Sequence, residues 1–322
     1  MAGSAPVPVL MVGLGSIGVS IGRALAAQPW ARVIGGVDPA YAGTSLAALL
    51  DAPVPKASKV VATVREIAKG PGVAVHCAGS RLATAAPLIA ETLNQGYHVV
   101  STCEELFHPL EAHREIAEKL SRTAKRQART LVAGGVNPGF AMDVWPLTLA
   151  SSMLRVDRVR VSRTLDASRR RRSFQEKVCL GEPLSSVKRA IKEGNIGHVG
   201  LENSARFLAD RLGFEIDKVT HKVTPVAALP GTPWAASGRI AGLSESLVLY
   251  QGRTRRVELQ LTMASGAAPE EDRVELAGVP GLTAVIPGGL PGDICTVAQI
   301  VKLVQMVGGA PSGLLEPAAS LA

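Results

Sequence analysis

The chain has 322 residues, of which 47% are apolar and 19% charged, so its composition excludes a disordered protein and supplies material for two domains. Eight arginines and two aspartates between residues 155 and 172 account for most of the net charge of +8. With only 3% aromatic residues, that pattern predicts a solvated surface and no nucleic-acid partner. We expect a cytoplasmic protein with no membrane partner, because no long apolar segment or export signal occurs.

The first element is an apolar run, Val7–Val12, which predicts a buried parallel strand. It leads into the glycine motif Gly13–Gly18, and a helical pattern extends from Ser16 to Ala27. A second apolar run, Val33–Val37, ends at an acid, Asp38. A strand, a glycine turn, a helix, a strand and an acid in this order predict a dinucleotide-binding unit.

The glycine motif has a separate physical reason at each glycine. The first permits a tight turn, the second lets backbone N–H groups approach a pyrophosphate, and the third lets the helix pack closely on the strand. The acid after the second strand commonly accepts hydrogen bonds from the adenosine ribose. We therefore predict that the cofactor is held here by Gly13, Gly15, Ser16, Ile17, Gly18 and Asp38.

The cofactor itself is NAD or NADP, and the sequence leaves the choice open. Asp38 repels a 2′-phosphate and favours NAD, whereas the nearby hydroxyls of Thr44 and Ser45 are placed to donate to such a phosphate.

Three further strands are predicted to end at the same edge of this sheet. Apolar runs at 73–76, 97–101 and 130–133 alternate with helices, which predicts an α/β fold of the Rossmann type with a doubly wound parallel sheet. Because parallel strands share one carboxyl edge, we expect the residues after these runs to border the nicotinamide. Those residues are Ala78, Gly79, Ser80, Thr102 and Asn137.

Beyond about residue 150, strands are predicted to follow one another, at 157–166, 219–226, 247–250 and 257–263. This pattern predicts a second, α+β domain built on an open sheet, which commonly pairs with its twin in a homodimer. We expect domains at 1–150 for the dinucleotide, 151–295 for the substrate and the dimer, and 296–322 as a C-terminal helix and tail packing on the first domain.

The strongest candidate for acid–base chemistry is a pair of carboxylates, Glu104 and Glu105, after the strand that ends at Ser101. Adjacent residues of an extended strand point to opposite faces, so one of the two is expected to enter the crevice, Glu104 first and Glu105 as the alternative. His198 lies between glycines in the loop 195–200, which suits contact with a substrate. The four cysteines are far apart and no metal motif occurs, so we predict reduced thiols and no metal.

Five segments together resemble the family of amine dehydrogenases and 2,4-diaminopentanoate dehydrogenases, whose nucleotide domain is like that of dihydrodipicolinate reductase. They are Gly13–Gly18, Ser101–Glu105, Gly135–Phe140, Gly197–Gly200 and Gly288–Asp293, and the resemblance extends from about Val7 to Leu315. It implies NAD(P)H-dependent reductive amination of a small ketone or aldehyde with ammonia, and the reverse oxidative deamination of a primary amine. It also implies that Glu104 is the catalytic acid or base.

On this hypothesis Phe140 and Trp145 are candidate apolar walls for the substrate, and Arg163 or Lys177 is a candidate partner for a substrate carboxylate. The alternatives are a 2,4-diaminopentanoate dehydrogenase, an imine reductase like dihydrodipicolinate reductase, and an NAD(P)-sensing module without catalysis. The histidine pair and the Arg-x-Lys-x-Asp-Ala-Pro-Ser-Gly signature of dihydrodipicolinate reductase are absent, which argues against its substrate.

Overall fold

The computed structural model describes residues 5–194, 196–228, 232, 235 and 238–316. The chain divides into two compact units, with Met1–Phe140 and Gly292–Ala322 in unit 1 and Ala141–Pro291 in unit 2. The unit boundaries therefore follow residues 140 and 291, whereas the sequence predicts boundaries after residues 150 and 295. The predicted tail reaches residue 322, and its residues 317–322 lie outside the described part.

The strands of the described residues alternate with helices in unit 1 and follow one another in unit 2. In chain order they are β1 (Val7–Val12), β2 (Ala31–Val37), β3 (Val60–Val61), β4 (Val73–His76), β5 (His98–Ser101), β6 (Thr130–Ala133), β7 (Arg155–Asp166), β8 (Lys218–Ala227), β9 (Ile240–Gln251), β10 (Thr254–Ala264), β11 (Glu271–Val279), β12 (Leu282–Pro287) and β13 (Gly313–Leu315).

The α-helices are short, and the longest of those described has 15 residues. In chain order they are α1 (Ser16–Ala26), α2 (Leu46–Leu50), α3 (Leu82–Asn94), α4 (Arg114–Arg126), α5 (Val144–Ala150), α6 (Arg172–Lys177), α7 (Leu184–Lys192), α8 (Leu201–Arg211) and α9 (Gly292–Met306). No helix in the described ranges is both long and apolar enough to cross a membrane.

Unit 1 is built on a parallel sheet with the strand order β13-β6-β5-β4-β1-β2-β3. The order reverses between β1 and β4, so the loops that follow these two strands diverge and leave a crevice at their carboxyl ends. The predicted fold class, an α/β protein with a doubly wound Rossmann sheet, is confirmed. The crevice lies where the glycine motif follows β1.

One face of this sheet is covered by helices from both ends of the chain. Ile21 and Leu25 of α1 pack with Val9 and Met11 of β1, and the same apolar cluster includes Ile300 of α9. The strand β13 then pairs in parallel with β6 at the sheet edge. Burial of these aliphatic side chains ties α9 and β13 to unit 1.

Unit 2 is an open six-stranded sheet with the order β12-β11-β7-β10-β9-β8, in which the pair β7 and β10 is parallel. Leu243, Leu247 and Leu249 of β9 are buried on one face, and the serines between them are half-exposed on the other. The helices α7 and α8 pack against β8, β9 and β10. This is the mixed α+β architecture expected of the second domain.

The sequence patterns at 110–129 and 140–153 each predict one continuous helix, and both helices are shorter in the structure. The pattern at 110–129 forms a 3-10 turn, Glu111–His113, before α4 begins. The pattern at 140–153 forms a helix only from Val144 to Ala150, because the carboxylate of Asp143 accepts the N–H of Val144 and caps the helix there.

Candidate active site

The glycine motif forms a tight loop between β1 and α1. Gly13 has a φ of +89°, and a Cβ there would lie 2.8 Å from the carbonyl carbon of Cys77. A Cβ on Gly18 would lie 2.0 Å from the carbonyl oxygen of Gly13, so the helix contacts the loop backbone directly. Both positions therefore require glycine for packing within the protein.

Gly15 differs from these two glycines because no contact within the described structure requires a glycine there. It is the N-cap of α1 with a φ of −65°, and no atom lies within 4 Å of the position of its missing Cβ. Gly15 and Ser16 are exposed, Ile17 is half-buried, and the first turn of α1 carries no acidic residue. A helix amino terminus with open space above its N-cap suits a bound phosphate.

Asp38 follows β2 and braces the glycine loop. Its Oδ2 accepts the N–H of Leu14 at 2.8 Å, and its Oδ1 accepts the N–H of Ala40 at 3.0 Å. The Thr44 hydroxyl donates to the carbonyl of Tyr41 at 2.6 Å. The half-buried carboxylate is therefore fixed next to the loop, with lone pairs remaining for ribose hydroxyls.

The loops after β4 and β5 are hydrogen-bonded to each other at the same sheet edge. The N–H of Glu105 donates to the carbonyl of Ser80 at 3.2 Å, and the N–H of Thr102 donates to the carbonyl of His76 at 2.9 Å. Ala78 and Gly79 are exposed, and Ser80 is half-buried. The structure thus brings the predicted nicotinamide contacts together with the glycine loop.

The two glutamates lie in a 3-10 turn, Glu104–Leu106, and the expectation that they sit on an extended strand is wrong. Glu105 is buried; its Oε2 accepts the N–H of Leu82 at 2.7 Å, and its carboxylate lies 3.7 Å from Arg81 and 3.6 Å from His113. Those contacts give Glu105 a structural role at the start of α3. Glu104 is half-buried at the sheet edge that carries the glycine loop.

A buried pair, His76 and Ser101, lies behind the Glu104 turn. The Nδ1 of His76 is 3.0 Å from the Oγ of Ser101, which also accepts the N–H of Cys103 at 3.0 Å. Burial lowers the pKa of His76 to about 4, so the imidazole is neutral near pH 7. No local sequence motif marks this pair, so it is not among the site residues predicted from the sequence.

The two thiols of this region are unsuited to nucleophilic catalysis. Burial raises the pKa of both Cys77 and Cys103 to about 12, so neither forms a thiolate near neutral pH. Among the described residues, no group of three or more His, Cys, Asp and Glu side chains could hold a metal ion. The carboxylates are thus the groups of this edge that suit proton transfer.

The loop after β6 lies at the same carboxyl edge of the sheet as the loops after β4 and β5. Gly139 has a φ of +132°, and a Cβ there would lie 2.3 Å from the carbonyl oxygen of Gly135, so the loop folds tightly back on itself. The N–H of Val136 donates to the Oγ1 of Thr296 on α9 at 3.3 Å. These contacts hold the half-buried Asn137 in the same row of loops as Glu104.

The geometry of the glycine loop, as well as its sequence, fits a bound nicotinamide dinucleotide. Gly15 leaves an open position where any side chain would stand over the amino terminus of α1, and Asp38 is fixed beside it. Gly13, Gly15, Ser16, Ile17 and Gly18 would hold the pyrophosphate, and Asp38 the adenosine ribose.

Three predicted substrate residues are distributed over both units. Phe140 ends the first segment of unit 1, whereas Trp145, on α5, and His198 belong to unit 2. Both aromatic side chains are half-buried. The N–H of His198 donates to the Oε2 of Glu245 at 2.6 Å, and Asn195, at the start of the predicted loop, lies outside the described residues.

The suggestion that Arg163 pairs with a substrate carboxylate is wrong. Its side chain is 2% exposed, donates from Nη2 to the carbonyl of Leu290 at 2.6 Å, and lies 3.4 Å from Asp272. The same aspartate accepts the N–H of Leu290 at 2.7 Å. Arg163 and Asp272 therefore clamp the loop around Leu290, because a buried guanidinium requires such partners.

Sequence comparison relates this chain to 2,4-diaminopentanoate dehydrogenases. Residues 140–319 match the model of the 2,4-diaminopentanoate dehydrogenase C-terminal domain. The chain is 24% identical to the 2,4-diaminopentanoate dehydrogenase of Acetoanaerobium sticklandii, over 96% of this chain and 91% of that protein.

Solved structures show the same fold. An amine dehydrogenase from Mycobacterium smegmatis has a TM-score of 0.81 at 18% identity, covering 97% of this chain and 95% of that one. A scyllo-inositol dehydrogenase from Lactobacillus casei, solved with NAD(H) and scyllo-inositol, has a TM-score of 0.57 at 14% identity, covering 98% and 95%. The resemblance inferred from the five sequence segments is confirmed, and the chain belongs to the family defined by the 2,4-diaminopentanoate dehydrogenase C-terminal domain.

Proposed function

We propose that this chain is an NAD(P)H-dependent amine dehydrogenase, which aminates a small ketone or aldehyde with ammonia and oxidatively deaminates the corresponding primary amine. One observation carries the proposal: in a chain of this family, Glu104 and an open phosphate cradle at Gly15 share one edge of the Rossmann sheet. The names of the two relatives described above support the same reaction class.

The reaction needs a group that exchanges protons and tolerates a neighbouring cation. Ammonia adds to the carbonyl carbon, and Glu104 donates a proton to the departing hydroxyl, which leaves as water. The resulting carboxylate stabilises the positively charged iminium. When bound, the reduced nicotinamide supplies the hydride, and in the deamination direction the oxidised form accepts it.

The fixed position of Asp38 favours NAD(H) over NADP(H). Both of its oxygens accept backbone N–H groups of the loop region, so the carboxylate cannot turn away without losing them. A 2′-phosphate would then lie against a negative charge. Of the two nearby hydroxyls that favour NADP, that of Thr44 already donates its proton to the carbonyl of Tyr41.

For the substrate we propose contacts with Phe140, Trp145 and His198, and for the nicotinamide contacts with Ala78, Gly79, Ser80, Thr102 and Asn137. Ammonia is the second substrate. The four cysteines are free thiols, which supports a reducing compartment and hence the cytoplasm.

We further propose a homodimer formed through the face of the second sheet that is opposite to its buried leucines. The outward residues of three neighbouring strands, Ser162, Ser244, Gln260 and Thr262, are half-exposed, and they place small polar side chains on a broad sheet surface. Sedimentation velocity tests this: Gln260→Arg should convert the dimer to monomer, and a wild-type monomer at micromolar concentration would refute the dimer.

The amine dehydrogenase proposal is tested with the full chain and a panel of small ketones and aldehydes. Oxidation of NADH and NADPH is followed by absorbance, each with and without ammonia, and the amine product is identified by mass spectrometry. We expect oxidation that requires ammonia and is faster with NADH.

The rival functions predict different results in the same assay. Oxidation that does not require ammonia would indicate a dehydrogenase or imine reductase. Cofactor binding without oxidation in any mixture, with amines and NAD(P)⁺ also unreactive, would indicate an NAD(P)-sensing module. Either result would refute the proposed reaction.

A further inference from the structure

A buried carboxylate in unit 2, Glu245 on β9, connects two histidines. Its side chain is 1% exposed, and both of its oxygens are hydrogen-bonded. Oε1 lies 2.6 Å from the Nε2 of His221 on the edge strand β8, and Oε2 accepts the N–H of His198 at 2.6 Å. The backbone carrying His198 is thus held by the same carboxylate that binds the His221 ring.

The backbone around His198 forms a loop, Ile196–Gly200, which passes close to this carboxylate. Gly197 has a φ of +150°, and a Cβ there would lie 3.3 Å from the Oε1 of Glu245. Glycine at this position therefore lets the chain pass close to the carboxylate. The loop ends at Gly200, the N-cap of α8, which packs on β9 and β10.

His221 supplies a hydrogen-bond donor to the buried carboxylate of Glu245. The hydrogen bond that His221 donates to Glu245 raises the pKa of His221, and the charge of Glu202 in the first turn of α8 acts in the same direction. The ring is 43% exposed, so its protonation is not opposed by full desolvation. Without this ring, one of the two oxygens of Glu245 would lose its hydrogen-bond donor.

We propose that His221 and Glu245 are positioning residues for substrate binding, which act by fixing the Ile196–Gly200 loop and with it the side chain of His198. This inference rests on the proposed function only in that His198 contacts the substrate. Removal of the His221 ring leaves one oxygen of a buried carboxylate without its hydrogen-bond donor. The side chain of Glu245 is then held at one oxygen instead of two, and its bond to the His198 N–H weakens.

The first test measures the loop directly and does not depend on catalysis. Amide hydrogen exchange of the loop peptide is compared in the wild type, His221→Leu and His221→Gln. Lys222→Leu is the matched control, because Lys222 is the next residue of β8 and is exposed. Since the hydrogen bond from the His198 N–H to Glu245 weakens, amide exchange of the loop in His221→Leu should rise at least about ten-fold.

His221→Gln should return exchange close to the wild-type rate, because the glutamine side-chain amide can donate to Glu245 from nearly the position of Nε2. Glu245→Gln is the second variant, which keeps an oxygen for the His198 N–H and removes the charge; its exchange should be intermediate. Unchanged exchange in His221→Leu, or an equal rise in Lys222→Leu, would overturn the proposal.

The second test separates positioning from catalysis in the ammonia-dependent assay. In His221→Leu the KM for the ketone should rise about ten-fold, with kcat and the dissociation constant for NADH within about two-fold of wild type, and His221→Gln should restore the KM. A fall in kcat at constant KM would overturn the positioning role.

The two proposals fail in different ways. Faster loop exchange in His221→Leu, in a wild-type chain that shows no ammonia-dependent turnover, would refute the amine dehydrogenase reaction and support the role of His221 in holding the loop. Normal turnover with unchanged loop exchange would support the reaction and refute the role of His221.

Discussion

The adjacent glutamates of the Glu104–Leu106 turn are expected to have separable roles, one in catalysis and one in stability. Glu105 accepts the N–H of Leu82 at the start of α3, and truncation to alanine leaves that buried donor without its acceptor. Loss of a helix cap costs about 1 kcal/mol, and an orphaned donor raises this to about 2 kcal/mol. The contact of Glu105 with Arg81 adds little to the free energy of unfolding, because that guanidinium is 61% exposed.

Glu105→Ala should therefore lower the melting temperature by about 4 to 8 °C while kcat stays within about three-fold of wild type. Glu104→Gln should lower kcat at least about 100-fold, with the melting temperature and the NADH dissociation constant unchanged, because it removes the transferable proton but keeps the side-chain shape. Thermal unfolding by circular dichroism and the ammonia-dependent assay measure both effects.

The intermediate variant Glu105→Gln keeps an oxygen for Leu82 and should regain about half of the lost stability. The opposite result would refute the roles assigned to the two carboxylates. In that case Glu105→Ala would lose turnover at an unchanged melting temperature, and Glu104→Gln would retain turnover.

Three further predictions concern unit 1. Gly15→Ala should fold normally and bind NADH at least about ten-fold more weakly, because its Cβ enters open space over the helix terminus. Gly18→Ala should instead lower the melting temperature, because its Cβ meets the Gly13 carbonyl. Wild-type NADH affinity in Gly15→Ala would contradict the role of Gly15 in cofactor binding. Asp38→Ser should shift the ratio of NADPH to NADH dissociation constants at least about ten-fold towards NADPH in equilibrium titrations, and an unchanged ratio would exclude Asp38 as the discriminating residue. Folding lowers the pKa of His76 from 6.5 to about 4, so its contribution to stability is present above pH 6.5 and is lost as the pH falls through 4. It amounts to about 3 kcal/mol, and the difference in unfolding free energy between wild type and His76→Phe in urea should change by this amount between pH 7 and pH 4; a constant difference would disprove the effect of burial.

Local patterns determined the dinucleotide-binding half of this protein. This half depends on local features, which are the glycine spacing, the apolar runs and the acid after the second strand. They lie within fewer than about 40 residues, because a turn or a strand depends on its neighbours in the chain. Each is found in the structure where the pattern predicts it. Because parallel strands share a carboxyl edge, the same patterns also place Ala78, Thr102, Glu104 and Asn137 at one edge of the sheet.

Contacts between distant residues decided the rest. Glu105 caps a helix that begins 23 residues earlier in the chain, Arg163 is 127 residues from the carbonyl of Leu290, and Glu245 is 47 residues from the His198 N–H. A buried charge must find its partner wherever the fold provides one, and no periodicity records that choice. The sequence by itself therefore determined the sheet, its crevice and the candidate residues along it, whereas only the tertiary structure decided which charged side chains are occupied in holding the protein together.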